Sequence, residues 1–183
     1  QNMPYVLNEE QSMLKTSARE FFTSSAPVSQ LRELRDTNDK VGYDVSTWQQ
    51  MRDMGWTSLT IPKEFEGMGF GYFGFGQILE ESGRSLTASP LLSTVGFGAN
   101  AIMEAGSAIQ KSKYLPKISS SEINLTLAID EGNRHNPTSI VSSLTNENGG
   151  FALNGIKKFV VDAHTSDKII VVCKSADGTI KLV

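Results

Sequence analysis

Near Asn124 the chain changes its texture, and no other feature narrows the possible folds as much. Before that point apolar residues return every three or four positions, the repeat of an amphipathic helix. After it they alternate and are broken by turn pairs, the repeat of strands. Such segregation predicts an α+β chain: an amino-terminal all-α helical bundle followed by an incomplete antiparallel β-barrel or meander. We place a helical domain at 3–122 and a partial middle β domain at 123–183. The 183 residues, 39% of them hydrophobic, suffice for one core or for one core and part of a second.

In the first half, Leu14, Ala18, Phe21 and Phe22 share one helical face, and Asn8 with Gln11 supplies a capping pair at its start. Pro27 limits this helix, and a second short one carries Leu31 and Leu34. Ser46 with Gln49 repeats the capping pattern ahead of Trp48, Met51 and Met54, and Gly55 stands where a left-handed stop belongs. Five glycines between 62 and 76 predict a loop, and no Lys-Ser or Lys-Thr pair follows to make it a phosphate cradle. Ile78, Leu79, Ser82 and Leu86 restore a helical face, with Glu80, Glu81 and Arg84 on a solvated side. Further helices fit 91–104 and 108–118.

In the second half, Leu125, Leu127 and Ile129 alternate with small or polar residues. Asn148-Gly149, Asn154-Gly155 and Asp177-Gly178 each read as a hairpin turn between β-prone runs, one of them Phe159, Val160 and Val161. The last run still reads as strand at Val183. That open apolar edge predicts partner strands in sequence outside this chain or on another chain. Gln1 and Asn2 ahead of Met3 read as additions to a native start at Met3.

The formal charge of −3, with no local cluster of Lys and Arg, argues against a nucleic-acid partner. Apolar runs such as 169–173 are too short to span a bilayer, and the start lacks an apolar signal core, so a cytoplasmic protein without a membrane anchor is expected. The lone cysteine, Cys173, reads as a buried thiol. Asp130, Glu131, Arg134 and His135 form the densest reactive cluster. The other histidine, His164, has no sequence-local partner, so no metal centre is expected. Ser, His and Asp are all present, but no nucleophile elbow brings them into a hydrolytic pattern.

Three stretches carry a resemblance. The first runs through 56–62, the glycine-rich 67–71 and Leu79-Glu80-Glu81-Ser82-Gly83-Arg84. The second leads from Ala105-Gly106-Ser107 through Gln110, Lys111 and Lys113 to Tyr114-Leu115-Pro116. The third is Leu153-Asn154-Gly155-Ile156-Lys157-Lys158-Phe159-Val160-Val161. Together and in this order they resemble the acyl-CoA dehydrogenases over nearly the whole chain. The resemblance implies a helical domain, then a β-barrel, with FAD held between that barrel and a carboxy-terminal helical bundle absent from these residues. It also implies an acyl-CoA substrate, an α-proton removed by a glutamate of the absent bundle, and hydride transfer from the β-carbon to the flavin. No catalytic residue is therefore expected within this chain.

Carried over position by position, the resemblance puts flavin contacts at Leu127, Ile129 and Asp130 on one strand and at Phe159, Val160 and Val161 on another. It puts Leu91, Leu92 and Val95 near the acyl chain and Asn136 at the substrate. It implies a homo- or hetero-oligomeric full-length protein and leaves the electron acceptor open. Three departures stand out: the family's Thr-Glu-Pro is Asp130-Glu131-Gly132, its glycine-serine-aspartate turn is replaced by residues around His135, Asn136 and Pro137, and Val161 stands where the family often has a threonine near the flavin N5. Ordinary readings stay open beside these, since Phe159 fits strand core and Leu91, Leu92 and Val95 fit helix core. Two other roles also stay open: a non-catalytic binding or structural subunit of a heteromeric complex, and an isolated helical domain used for assembly.

Overall fold

The computed structural model describes residues 6–183, so Gln1, Asn2 and the expected start at Met3 lie outside the described residues. Helix α1, Glu9–Ser25, starts where expected. The Asn8 side chain accepts from the Gln11 amide at 2.8 Å, and Gln11 Oε1 accepts from the Asn8 amide at 3.0 Å. Ala18 and Phe22 are fully buried on its inner face. Pro27 then opens α2, Val28–Asp36. Helix α3, Val45–Asp53, differs from expectation: its cap is Asp44, whose carboxylate accepts from the Thr47 amide at 2.6 Å, and not Ser46. An anionic acceptor two residues upstream outcompetes a hydroxyl for the free amides. Gly55, at φ 79°, ends the following turn in the left-handed region as expected.

Helix α4, Tyr72–Arg84, takes in Gly74 and Gly76, where a loop was expected. At Gly74 a Cβ would overlap the Phe70 ring, so this glycine serves packing rather than a turn. The solvated face expected at 80–84 is only half present. Glu80 is exposed and pairs with Lys15 at 3.0 Å, but Glu81 is 1% exposed. Arg19 of α1 donates to Glu81 through two nitrogens at 2.9 and 3.1 Å, and its hydrogen bond holds the carboxyl below the ordinary range. This pair crosses from α1 to α4 and explains how a charge enters the core. Phe21, Phe22 and Trp56 pack edge-on or tilted against one another in the helical core, with ring centroids 5.3 Å apart.

The single helix expected at 91–104 is two elements: a π-helical stretch, Leu92–Ala99, running into α5, Asn100–Ala105. Helix α6, Ala108–Ser119, follows, capped by Ser107 and Gln110. A second core forms around Ile61, Ala99, Leu115, Ile118 and Leu125, where helices meet the sheet.

The strands are β1, Leu125–Ala128; β2, Ser143–Glu147; β3, Gly150–Asn154; β4, Lys168–Ser175; and β5, Ile180–Leu182. Helices followed by an unclosed sheet match the expected fold class, but the purely antiparallel pairing does not hold. The order is β1-β4-β2-β3, with β5 on β4, and both β1 and β2 run parallel to β4. Asn148-Gly149 makes a hairpin between β2 and β3, and Asp177-Gly178 makes one between β4 and β5. Asn154-Gly155 does not. Gly155, at φ 155°, lies against Ser142 where a Cβ could not fit, and the chain leaves β3 there instead of folding back. Residues 155–161 cross the end of β1, Asp162 turns the chain in the left-handed region, and β4 enters alongside β1. The Thr126 hydroxyl donating to the Val161 carbonyl at 2.7 Å, and the Asn124 amide donating to Asp167 at 2.7 Å, fasten this crossing.

The helical and sheet parts touch most closely where Gly98 lies under Leu125: a Cβ at Gly98 would sit 2.7 Å from the Leu125 Cβ. Both neighbours are regular backbone with little room to yield. Gly98→Ala is expected to lower stability by about 2 kcal/mol through overpacking, read as a reduced urea midpoint with an unchanged m-value.

Candidate functional site

The crossing segment 155–161 and the end of β1 together wall a cavity of about 250 Å³. Its apolar lining is Phe97, Leu127, Ile129, Phe159 and Val161, and its polar rim is Asp130, His135 and Lys158. Five of the six flavin contacts implied by the resemblance therefore meet in one place. Val160 does not line the cavity and is half-buried. The second strand expected at Phe159, Val160 and Val161 is not a strand. Phe159 adopts φ 54°, and the segment forms no ladder with its neighbours. An aromatic residue in the left-handed region is strained, and Phe159 is nonetheless 76% exposed. Ordinary strand core does not account for its position.

The segment is held by Lys157 and Glu131. Lys157 Nζ donates to Glu131 Oε1 at 2.7 Å and to the Ile129 carbonyl at 2.9 Å. Glu131 also accepts from the Val141 and Ser142 amides at 2.6 and 2.8 Å. Both side chains are about nine-tenths buried, at 9% and 10% exposure. Burial pushes the Glu131 carboxyl up, but the bonds from Lys157, Ser142 and Val141 outweigh it and lower its pKa to about 2. Glu131 was singled out in sequence only as part of a reactive cluster; its bonds are structural.

Leu91 and Leu92 border a second cavity of about 370 Å³, lined on its far side by Val161, Asp162 and His164. Val161 thus belongs to both cavities. Val95 is fully buried in the helical core and lines neither, in keeping with its ordinary reading. Asn136 lines a separate recess with Glu131, Arg134 and Ser139, although its backbone amide reaches Asp130 Oδ1 at 3.4 Å. Asp162 was missed from sequence. The buried Ser93 hydroxyl donates to its carboxylate at 2.6 Å, locking it between the cavities. Its position directly after Val161 was the signal that could have found it. Cys173 is fully buried, and burial raises its thiol pKa.

A flavin ring system needs apolar side chains against its faces and polar groups at its edge. The apolar lining here fits one face of such a ring. The rim fits its edge through charged groups and imidazole alone, since no hydroxyl side chain lines the cavity. Among the described residues no helix is long and apolar enough to cross a membrane.

The profile described as acyl-CoA dehydrogenase, N-terminal domain, matches residues 8–122. The chain belongs to the acyl-CoA dehydrogenase family. The mitochondrial isovaleryl-CoA dehydrogenase of Oryza sativa subsp. japonica is 28% identical over 177 residues, covering 93% of this chain and 42% of that protein. A variant of the Tcur3481-Tcur3483 steroid ACAD is 28% identical with a TM-score of 0.83, covering 96% of this chain and 48% of its own. The ChsE4-ChsE5 complex from Mycobacterium tuberculosis shares the fold at a TM-score of 0.85 and 23% identity, covering 99% of this chain and 48% of that one. The chain thus spans less than half the length of these relatives.

Because the folded Glu131 carboxyl titrates at about 2 against an ordinary 4.5, it contributes stability above about pH 4.5 that is lost as pH falls toward 2. Glu131→Gln should therefore cost about 2 kcal/mol near pH 7, allowing for the little solvent that reaches the pair. The gap from wild type should close across that acid window in a series of urea melts.

Proposed function

We propose that this chain is the amino-terminal part of a flavin-dependent acyl-CoA dehydrogenase, organised as a helical domain at 3–122 and part of a β domain at 123–183. The observation that carries this reading is Val161, which lines both the apolar cavity under 155–161 and the larger cavity beside Leu91 and Leu92. Two cavities meeting at one side chain suit a cofactor and a substrate that must touch.

In this reading Leu127, Ile129, Phe159 and Val161 hold one face of FAD and exclude water from it, with Asp130 at its edge. Val160 contributes backbone rather than side chain, because it does not line the cavity. Leu91 and Leu92 border the acyl portion of an acyl-CoA, whereas Asn136, which the resemblance assigns to the substrate, lines a different recess. FAD, when bound, accepts the hydride from the substrate's β-carbon. No base is assigned among these residues. Glu80 is turned to Lys15, Glu81 to Arg19, and Glu131 to Lys157, so each carboxylate is committed elsewhere.

A specific observation favours a second reading, a non-catalytic subunit paired with a catalytic partner. The cavity offers no hydroxyl, and Asp130 and Val161 occupy the positions where the resemblance implies threonines.

Titration of FAD into the full-length gene product, followed by visible absorbance, tests both. Yellow protein that bleaches on adding a short acyl-CoA is the expected result. Binding without bleaching in the presence of any acyl-CoA, or no binding at all, would favour the subunit reading.

A further inference from the structure

The reactive cluster noted in sequence divides cleanly in the structure. Glu131 is consumed by Lys157 and the 141–142 amides, and Arg134 lines the recess around Asn136. Asp130 and His135 remain, and both line the apolar cavity. His135 Nδ1 stands 2.9 Å and 3.2 Å from the two Asp130 oxygens, and the Asn136 amide adds a long contact at 3.4 Å. The Asp130 side chain is 22% exposed.

A carboxylate beside an apolar wall and only partly open to water is costly to keep charged unless a donor faces it. The rim ammonium, Lys158, has its Nζ 3.5 Å from Asn133 Oδ1 and makes no ion pair with Asp130. His135 is therefore the side chain that compensates Asp130. A carboxylate accepts only, so the proton between them sits on Nδ1. That leaves Nε2, on a ring that lines the cavity, as the nitrogen available to a ligand.

We propose that His135 is a cofactor-binding residue: its hydrogen bond to Asp130 shares the carboxylate's charge at the cavity rim, and its imidazole supplies the polar edge contact that the hydroxyl-free lining lacks. This rests on the reading of the cavity as a flavin site. The electron-rich edge of an isoalloxazine repels a bare carboxylate, and a carboxylate bound to imidazole repels it far less.

A double-mutant cycle on the full-length gene product tests the coupling, with FAD affinity read by flavin fluorescence and the flavin reduction potential read by dye equilibration. His135→Ala should weaken FAD binding about tenfold by leaving Asp130 uncompensated, and should lower the potential. In the Asp130→Asn background the same His135→Ala change should cost no more than about threefold, the share of the imidazole's own edge contact, because the charge needing compensation is gone. A His135→Ala protein that binds FAD as wild type does, or a His135→Ala penalty that is the same in the wild-type and Asp130→Asn backgrounds, overturns the proposal. Wild-type protein that takes up no FAD overturns the flavoprotein reading itself, an outcome separate from equal uptake by wild type and variant.

Discussion

The carboxylate of Glu131 gathers three pieces of chain that have no ladder to hold them. It takes the ammonium of Lys157 from the crossing segment, two amides from 141–142 at the entry to β2, and it leads directly out of β1. Lys157 in turn binds the Ile129 carbonyl, so the end of β1 and the crossing segment become one rigid corner. Buried charges of this kind are poor sources of net stability, but they specify geometry because every alternative leaves one of them unpaired. The cavity exists because that corner holds Leu127 and Ile129 opposite Phe159 and Val161.

The strain at Phe159 follows from the same corner. Lys157 points inward to Glu131, the Lys158 amide donates to the Asp130 carbonyl at 2.7 Å, and three residues later the Val161 carbonyl must meet the Thr126 hydroxyl. A regular extended strand cannot satisfy all three contacts. The chain places one residue at φ 54° instead, and the residue so placed, Phe159, lines the cavity while staying largely exposed. Strain of this sort persists only where the surroundings over-determine it, and here several hydrogen bonds do so.

These contacts also mark where sequence reasoning reached and where it stopped. Helices with capping pairs and regular apolar faces were legible, as at Asn8 and Gln11, because local chemistry alone decides them. The split between helices and strands near Asn124 was legible for the same reason. The parallel entry of β4 was not. Asn154-Gly155 has the composition of a hairpin turn, and only the packing of Gly155 on Ser142 diverts it. Glu81 was misread as solvated because its partner, Arg19, lies far away in sequence and on another helix. At the site, the resemblance named residues that converge on one cavity, but neither the Asp130–His135 contact nor the Ser93–Asp162 bond follows from any local pattern.

The π-helical stretch links the two cavities. Its widened turns bring Gly98 beneath Leu125, set the Thr94 hydroxyl to accept from the Leu125 amide at 3.2 Å, and aim Ser93 at Asp162. A regular α-helix of the same length would rotate these groups out of register, since each residue advances by a different angle. Asp162 follows Val161 directly, so the bond from Ser93 fixes the residue that borders both cavities. Leu91, Leu92 and Phe97, which flank or lie within that stretch, line the cavities on the helical side. The Ser93–Asp162 bond thus ties the π-helical stretch to the end of the crossing segment, next to the Val161 side chain that both cavities share.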